Sequence, residues 1–295
     1  MIWLNPARFF TCAHCGSTSD QMDTQLQGTA VTVEGSGPPV VLIHGMGLNR
    51  HMWQWILDDL AVHFQVVRYD LSGHGDSGPP PADCTLLDLV AQLDGVLSGL
   101  GISNAILAGF SLGGTLAQAY ALERPTTVSA IAVLNSTHRR DPAQRAAMRE
   151  RLEISRRDGP AGTVDAAIER WFTDSFKERN PQVTDQIRQW MLANDPRDYA
   201  TLYRVLVEGD DAILGDGRAL ADALVDIACP ALILTGAEDA NSTPEMARTM
   251  AASIPAGRCE IVPELRHMGL AEDPATFNAA LIPFFETADA ARQNR

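Results

Sequence analysis

Long apolar runs are missing from this sequence of 295 residues, and no segment approaches the roughly 20 apolar residues that a membrane-spanning helix needs. Basic residues are also scarce, since 23 Lys and Arg stand against 37 Asp and Glu for a net charge of −14. Because a phosphate backbone is bound through a basic surface, this deficit argues against a nucleic-acid partner. The sequence therefore indicates a globular protein with neither a nucleic-acid nor a membrane partner.

Cysteines are few as well, and their five positions are too scattered for a disulfide framework. Cys12 and Cys15 form a C-x-x-C pair, but no second pair follows at the spacing of a zinc site. The N-terminus lacks the charged region and apolar stretch of a signal peptide. We therefore expect a cytoplasmic protein that holds no metal.

Residues 1–21 differ from the rest of the chain because they contain no periodic segment. A second methionine, Met22, stands just before the first strand-like stretch. We expect residues 1–21 to be a disordered leader, or to precede the true start of the protein.

From residue 29 onward, short strand-like runs alternate with amphipathic stretches. The predicted strands are 29–34, 40–43, 65–69, 105–108, 128–134, 231–234 and 260–262. The predicted helices are 52–61, 86–100, a helix ending near 122, 245–252 and 274–285. Strands that alternate with helices predict an α/β fold with a mostly parallel sheet covered on both faces.

The stretch 137–224 breaks this alternation, and its large apolar residues recur at helical intervals. Because it is too long for a simple connection, we predict an inserted helical cap between core segments 22–136 and 225–295. Trp171 and Trp190 are candidates for the roof of a pocket beneath that cap. Arg139, Arg140 and Arg145 are candidates to meet a substrate carboxylate, although a solvated helix face is the favoured interpretation.

The pentapeptide Gly109-Phe110-Ser111-Leu112-Gly113 has the pattern G-x-S-x-G and lies between a predicted strand and a predicted helix. In such a turn the serine is strained, and a side chain on either flanking glycine would collide with neighbouring backbone. The turn lifts the Ser111 hydroxyl out of the sheet edge and places the Leu112 N–H at a helix N-terminus. We predict that Ser111 is a nucleophile and that Leu112 is an oxyanion-hole donor.

The segment His44-Gly45-Met46-Gly47 directly follows the 40–43 strand. Its glycines allow a sharp turn that leaves the N–H of Met46 free to be the second oxyanion donor. We expect His44 to pack under this turn as a structural residue.

A serine hydroxyl needs a neighbouring base, and the seven histidines supply the candidates. His267 follows the last predicted strand, so it emerges at the same carboxyl edge of the sheet as Ser111. The base in turn needs a carboxylate, for which Asp239, mid-loop after the 231–234 strand, is favoured over Glu238. The 128–134 strand supplies none, because Asn135 follows it. Packing or surface roles are expected for the remaining histidines, His14, His51, His63, His74 and His138.

Together these motifs resemble the α/β-hydrolase superfamily over nearly the whole chain from about Met22. The matching pieces are residues 44–47, 69–77, 109–113, 236–239 and His267. Ser72 stands where the family usually has arginine, and Arg266 replaces the glycine that usually precedes the histidine. The resemblance implies an α/β-hydrolase fold in which Ser111, Asp239 and His267, in that chain order, form the catalytic triad.

Within the superfamily, the size and the predicted cap resemble the branch of 3-oxoadipate enol-lactonases, small carboxylesterases, C–C bond hydrolases and cofactor-free haloperoxidases. Serine at the elbow argues against haloalkane dehalogenases and epoxide hydrolases, which use aspartate there. The implied activity is hydrolysis of a small carboxylic ester or lactone through an acyl-enzyme on Ser111, without metal or organic cofactor. A C–C hydrolase of vinylogous diketones, a haloperoxidase or perhydrolase, and a non-catalytic binding member remain alternatives. Whether the chain forms a homo-oligomer stays open.

Overall fold

The computed structural model of the chain describes residues 21–293, and of Asp210 it describes the backbone alone. The predicted leader therefore lies outside the described residues except for Gln21, and so do Cys12 and Cys15. Among the helices of the described part, none combines the length and apolar character needed to cross a bilayer.

A single sheet of eight strands runs through the described residues in the order β1-β2-β4-β3-β5-β6-β7-β8. Its strands are β1 (Met22–Leu26), β2 (Thr29–Glu34), β3 (Pro39–Ile43), β4 (Gln65–Tyr69), β5 (Ala105–Phe110), β6 (Val128–Leu134), β7 (Ala231–Gly236) and β8 (Gly257–Val262). The pairs β1–β2 and β2–β4 are antiparallel, and all other neighbours are parallel. The sheet is thus mostly parallel, as the sequence predicts.

The central strands are predominantly apolar because both faces of the sheet are covered. In β3, Val41 and Ile43 pack into one hydrophobic cluster, whereas Val40 and Leu42 pack into a second one. All four side chains are fully buried. Since side chains alternate along a strand, a continuous apolar run is what a strand between two helical layers requires.

Twelve α-helices lie within the described residues. They are α1 (Leu57–His63), α2 (Leu86–Gly99), α3 (Leu112–Glu123), α4 (Pro142–Asp158), α5 (Val164–Trp171), α6 (Asp174–Arg179), α7 (Pro181–Leu192), α8 (Pro196–Glu208), α9 (Leu220–Ala223), α10 (Pro244–Ser253), α11 (Gly269–Glu272) and α12 (Pro274–Gln293). Helices α2, α3 and α10 cover one face of the sheet through Leu89, Leu116 and Met250. Helices α1 and α12 cover the other face through Leu60 and Phe285.

Helices α4 to α9 follow one another between β6 and β7, inside the segment in which a helical cap is predicted. In this part of the described chain the strand-like pairing is limited to an isolated bridge between Ile213 and Ala219. The fold class is confirmed, including the mostly parallel sheet with helices on both faces. The boundaries of the cap at 137 and 224 remain predictions.

The helix predicted over Met52 to Ala61 is wrong in its first half. The structure has a 3₁₀ turn at Arg50–Trp53, and α1 begins only at Leu57. The apolar spacing is nevertheless used, because Met52, Trp53 and Ile56 are all fully buried. The first turn differs because Asn49 caps it and because the backbone N–H of Arg50 donates to the carboxylate of Asp70 at 2.7 Å.

Four parallel strands deliver polar residues to one edge of the sheet. Ser111 directly follows β5, Asn135 directly follows β6, and the loops after β7 and β8 carry Asp239 and His267. Because the carboxyl ends of parallel strands share one edge, these side chains meet there. Helices α4, α5, α7 and α8 border the same space.

Candidate active site

The turn between β5 and α3 holds Ser111 in a backbone conformation that non-glycine residues rarely adopt, with φ of 53° and ψ of −114°. Its N–H donates to the carbonyl oxygen of Leu134 at 2.8 Å. A Cβ on Gly109 would collide with the carbonyl group of Gly113, and a Cβ on Gly113 would collide with the carbonyl oxygen of Ile43. The two glycines of the pentapeptide are therefore required by the closeness of the backbone.

Asp239 and His267 form a buried hydrogen-bonded pair, with 2.8 Å between His267 Nδ1 and Asp239 Oδ2. Only 3% of His267 and 2% of Asp239 is exposed. The side chain of Glu238 points elsewhere, since it is half-exposed and lies 3.9 Å from Arg266 Nε. Of the two carboxylates that the sequence offers, Asp239 is therefore the one that contacts the histidine.

The Asp239 carboxylate is held by several donors. Its Oδ1 accepts hydrogen bonds from the N–H groups of Asn241, at 2.8 Å, and Ser242, at 3.0 Å, and its Oδ2 accepts one from Asn135 Nδ2 at 3.0 Å. Burial alone would raise the pKa of Asp239, but the charge and hydrogen bond of His267, with the donors from Asn135 and Ser242, lower it. The ionised carboxylate only accepts, so His267 Nδ1 carries the proton and Nε2 is left as the basic nitrogen.

Asn135 is a residue of the site that the sequence analysis missed. It directly follows β6 and has a φ of 48°, and besides its contact with Asp239 its carbonyl oxygen accepts a hydrogen bond from Ser242 Oγ at 2.7 Å. From the sequence, Asn135 indicated only that no carboxylate follows the 128–134 strand. A signal was present, because asparagine is among the residues that tolerate positive φ and can donate to a neighbouring carboxylate.

The backbone N–H groups of Met46 and Leu112 are the two predicted oxyanion donors. Leu112 is the first residue of α3, and Met46 follows β3 in the neighbouring turn. Neither N–H donates to any acceptor among residues 21–293. Met46 and Ser111 line the same cavity, and Leu112 directly follows Ser111, so one predicted oxyanion donor belongs to the cavity lining and the other to a residue next to it.

Two buried histidines fix the turn that carries Met46. His44 Nε2 accepts from the N–H of Leu71 at 2.9 Å while its Nδ1 faces the carbonyl oxygen of Gly45 at 2.8 Å. His74 Nε2 accepts from the N–H of Gly47 at 2.9 Å. Burial lowers the pKa of His44, and burial together with the proximity of His44 lowers the pKa of His74 to about 3. Both imidazoles are therefore neutral acceptors, and the structural role expected for His44 extends to His74.

The turn after β4 is held by a buried ion pair that the sequence analysis did not anticipate. The guanidinium of Arg50 pairs with the carboxylate of Asp70, and Asp70 also accepts from the N–H of Asp76 at 2.9 Å. A Cβ on Gly75 would collide with that carboxylate. These contacts hold the turn that contains His74 against the turn that contains Met46.

A cavity of about 140 Å³ lies between the sheet edge and helices α4, α5, α7 and α8. Ser111, Met46 and His267 line it from the sheet, and Trp171 lines it from α5 with its ring centroid 5.7 Å from that of His267. Trp190 is not part of the lining, contrary to the prediction, because it packs on Trp55 at 6.2 Å between ring centroids.

The arginines named in the sequence analysis have different surroundings. Arg139 pairs with Asp222 and Arg145 pairs with Asp211, so both are tied to carboxylates of the chain. Arg140 does line the cavity, and its guanidinium donates to the carbonyl oxygens of Leu206 and Val207. Two further arginines of the lining, Arg151 and Arg170, were missed because nothing in their local sequence distinguishes them from a solvated helix face.

Residues 40–280 match the sequence profile described as the Alpha/beta hydrolase family, which is more than half of the chain. This chain belongs to the alpha/beta hydrolase family. The resemblance that the sequence motifs indicate is therefore confirmed.

Relatives of this alpha/beta hydrolase cover nearly its whole length. The (E)-2-((N-methylformamido)methylene)succinate hydrolase of Acinetobacter baylyi is 32% identical over 254 residues, which are 86% of this chain and 92% of that protein. A malate-bound esterase from Thermogutta terrifontis has a TM-score of 0.79 at 27% identity, over 91% of this chain and 98% of its own. The enol-lactonase from Burkholderia xenovorans has a TM-score of 0.77 at 26% identity, over 89% and 99%. The coarse prediction of a hydrolase is thus confirmed.

Proposed function

We propose that this alpha/beta hydrolase cleaves a small carboxylic ester or lactone through an acyl-enzyme on Ser111. The observation that carries the proposal is the Asp239–His267 pair, whose carboxylate is fully supplied with donors and whose imidazole shares a cavity with Ser111. The contact orients one imidazole nitrogen and leaves the other as a base. Ser111 would thus act as the nucleophile and His267 as the base, while the Asp239 carboxylate orients His267.

The first half of the proposed reaction forms the acyl-enzyme. His267 Nε2 accepts the hydroxyl proton as Ser111 Oγ attacks the carbonyl carbon, and the carbonyl oxygen takes up negative charge. The N–H groups of Met46 and Leu112 donate to that oxygen, which stabilises the tetrahedral intermediate. The protonated His267 then gives its proton to the departing alkoxide, the bond to the leaving oxygen breaks, and Asp239 stabilises the imidazolium in the meantime.

The second half releases the acid. Water gives a proton to His267 Nε2 and attacks the acyl carbon, and the same two N–H groups hold the second oxyanion. Collapse of this intermediate breaks the bond to Ser111 Oγ, which recovers its proton from His267. With a lactone, the alcohol and the acid leave as one molecule, so a single ring-opened product forms.

Amide hydrolysis at the same serine is a second candidate. The relative from Acinetobacter baylyi is named for a substrate that carries an N-methylformamido group. The same groups would serve, with His267 protonating a departing nitrogen in place of an oxygen. Esters and lactones remain our first choice because the solved relatives named above are an esterase and an enol-lactonase.

A fluorophosphonate probe and a substrate panel test the proposal together. The panel holds 4-nitrophenyl esters, lactones, an N-acyl enamide and a vinylogous 1,5-diketone, so that C–O, C–N and C–C cleavage are compared directly. We expect the probe to label Ser111 and the esters or lactones to have the highest kcat/KM. Ser111→Ala should lower kcat by about 10⁶-fold while leaving the fold intact.

The matched control is Ser98→Ala, because Ser98 is exposed on α2 and away from the cavity. It should retain both labelling and turnover. Failure of the probe to label Ser111 together with no turnover would favour a non-catalytic member of the family. Preferential turnover of the diketone would replace ester hydrolysis by C–C hydrolysis at the same residues.

A further inference from the structure

The cavity beside Ser111 carries positive charge in a protein that is otherwise acidic. Arg140, Arg151 and Arg170 all line it, while no aspartate or glutamate among the described residues does. Over the whole chain, acidic residues outnumber basic ones by 37 to 23. The reversal is therefore local to the space in which a substrate would lie.

Two of these arginines have no carboxylate partner within the described residues. Arg151 donates to the sulfur of Met148 at 3.5 Å, a weak acceptor, and no acidic side chain that the structure describes lies within ion-pair distance of it. The same holds for Arg170, whose buried Nε atom has no hydrogen-bond partner there. Buried donors are nearly always satisfied, so an unpaired one at a cavity needs an explanation.

The charges of the two guanidinium groups act on each other and on Tyr203. Burial lowers the pKa of Arg170, and the positive charge of Arg151 lowers it further. Burial raises the pKa of Tyr203, and the charges of Arg151 and Arg170 oppose that increase. The two cations therefore lie near the same phenol, and no acidic side chain that the structure describes pairs with either of them.

We propose that Arg151 and Arg170 bind a carboxylate of the substrate, so that the preferred substrate carries a carboxylate in addition to its scissile carbonyl group. This inference rests on the proposed function, because it places the bound carboxylate in the cavity that Ser111 lines. A carboxylate is an acceptor that guanidinium groups bind with strong, charge-assisted hydrogen bonds. It would supply a counter-ion for the two guanidinium groups and an acceptor for Arg170 Nε.

A pair of matched esters tests the inference. The 4-nitrophenyl half-ester of adipic acid carries a terminal carboxylate, and the 4-nitrophenyl ester of adipamic acid carries a neutral amide of nearly the same shape. For the unaltered enzyme we expect kcat/KM to favour the carboxylate by about 30-fold or more, since hydrogen bonds to charged groups are among the stronger ones. In Arg151→Gln and Arg170→Gln this ratio should fall close to one.

The control variant is Arg149→Gln, because Arg149 lies on the same helix α4 but is exposed and outside the cavity lining. Its ratio should equal that of the unaltered enzyme. Arg170→Lys keeps the charge and loses the planar guanidinium, so it should recover part of the preference. Circular dichroism and melting temperature identify any variant that fails to fold, and the ratio is compared only among folded variants.

A binding measurement separates failure of this inference from failure of the proposed function. Adipate is titrated calorimetrically into the Ser111→Ala protein with and without Arg170→Gln, and inorganic phosphate is titrated in parallel. If adipate binds and Arg170→Gln abolishes the binding, the carboxylate site is supported. If, in addition, no ester is hydrolysed, only the proposed function is overturned. Fluorophosphonate labelling of Ser111 without any carboxylate preference overturns the carboxylate site alone. Tighter binding of phosphate than of adipate, or adipate binding that ignores Arg170→Gln, also overturns it.

Discussion

The sheet edge and the helices above it hold their side chains by different means. At the edge, Ser111 lies on a turn that closely packed backbone forces into positive φ, and Asp239 is fixed by four donors besides its contact with His267. In helices α4 and α5, Arg151 and Arg170 extend from ordinary helical backbone. At the sheet edge, backbone geometry thus restricts which residue type a position can hold. In the helices, packing restricts only which positions are apolar.

This difference matches a division of tasks in the proposed reaction. Chemistry that depends on angles and distances at one carbon benefits from groups that cannot move, and backbone turns supply such groups. Recognition of the rest of a substrate depends on the shape and charge of the opposite wall, which helices can change by single substitutions. Substitutions in the helices can therefore change recognition without altering the groups at the sheet edge.

The two regions are joined at the loop that carries His267. Arg266 Nη1 donates to the carbonyl oxygen of Phe172 at 2.7 Å, and the N–H of Met268 donates to the carbonyl oxygen of Trp171 at 2.9 Å. Both residues flank His267, and both hold the C-terminal end of α5. The replacement of the family's usual glycine by Arg266 thus adds a bond between the edge and the helices.

The largest effect is expected from Asp239→Asn. An amide at this position can donate to His267 Nδ1, which would place the imidazole proton on Nε2 and remove the base that Ser111 needs. We expect kcat for an ester to fall by about 10⁴-fold with the fold retained. Glu238→Gln is the matched control and should retain most of the activity, because its side chain does not contact His267. Similar losses in both variants, measured by steady-state kinetics, would refute the assignment of Asp239.

Gly113→Ala tests whether the edge depends on backbone closeness. Its new Cβ would collide with the carbonyl oxygen of Ile43, so we expect a loss of about 3 kcal/mol in the free energy of unfolding and little remaining activity. Gly78→Ala is the control, because its Cβ would meet only the carbonyl oxygen of Gly28, at 3.6 Å. Urea denaturation should show the control within about 0.5 kcal/mol of the unaltered protein. Equal stability of the two variants would contradict the steric argument.

A smaller effect is expected at the buried histidines, through the pH dependence of stability. The pKa of His74 is about 3 in the folded chain, whereas an unfolded histidine has a value near 6.5. Between these values only the unfolded chain binds the proton, so stability is present above about pH 6.5 and is lost as the pH falls toward 3. His44 contributes in the same direction, because its pKa is also lowered.

The substitution His74→Gln keeps an acceptor for the N–H of Gly47 and removes the proton that the unfolded chain binds at position 74. The free energy of unfolding, measured with urea between pH 7 and pH 5, should then depend less steeply on pH, by about 1.4 kcal/mol per pH unit below 6.5. His63→Gln is the control, since His63 is exposed on the surface next to Glu286. A slope in His74→Gln equal to that of the control would show that His74 is not held neutral.

The sequence allowed the sheet edge to be anticipated in more detail than the helices. The pentapeptide around Ser111 is visible because colliding backbone leaves glycine as the residue type at 109 and 113. The contact between Asp239 and His267 follows from the edge that parallel strands share. Asn135 was missed because its contact with Asp239 is a tertiary one, although its residue type is compatible with a positive φ. His74 has the packing role expected of it, but the sequence did not indicate its hydrogen bond with Gly47. Arg151 and Arg170 were missed because a helical face does not disclose what it meets.

The tryptophans of the helical segment provide the last and smallest test of the comparison. Sequence spacing alone treats Trp171 and Trp190 alike, but only Trp171 lines the cavity, where it lies against His267. Trp171→Ala should enlarge the space for an acyl chain and shift the kcat/KM ratio of long to short 4-nitrophenyl esters by about tenfold toward long chains. The ratio is the measurement to use, because the loss of packing on His267 would lower kcat for all esters together.

Trp190→Ala is the matched control for Trp171→Ala, since it removes an indole of the same size from α7 while leaving the cavity unchanged. Its indole packs on Trp55 and is not part of the cavity lining, so the cost should appear in melting temperature and the chain-length ratio should stay within about twofold. If both variants shifted the chain-length ratio equally, any loss of packing in helices α4 to α8 would change substrate preference. The position of these helices as a group, and not the individual side chains in the lining, would then determine the preference, in contrast to the individually fixed residues of the sheet edge.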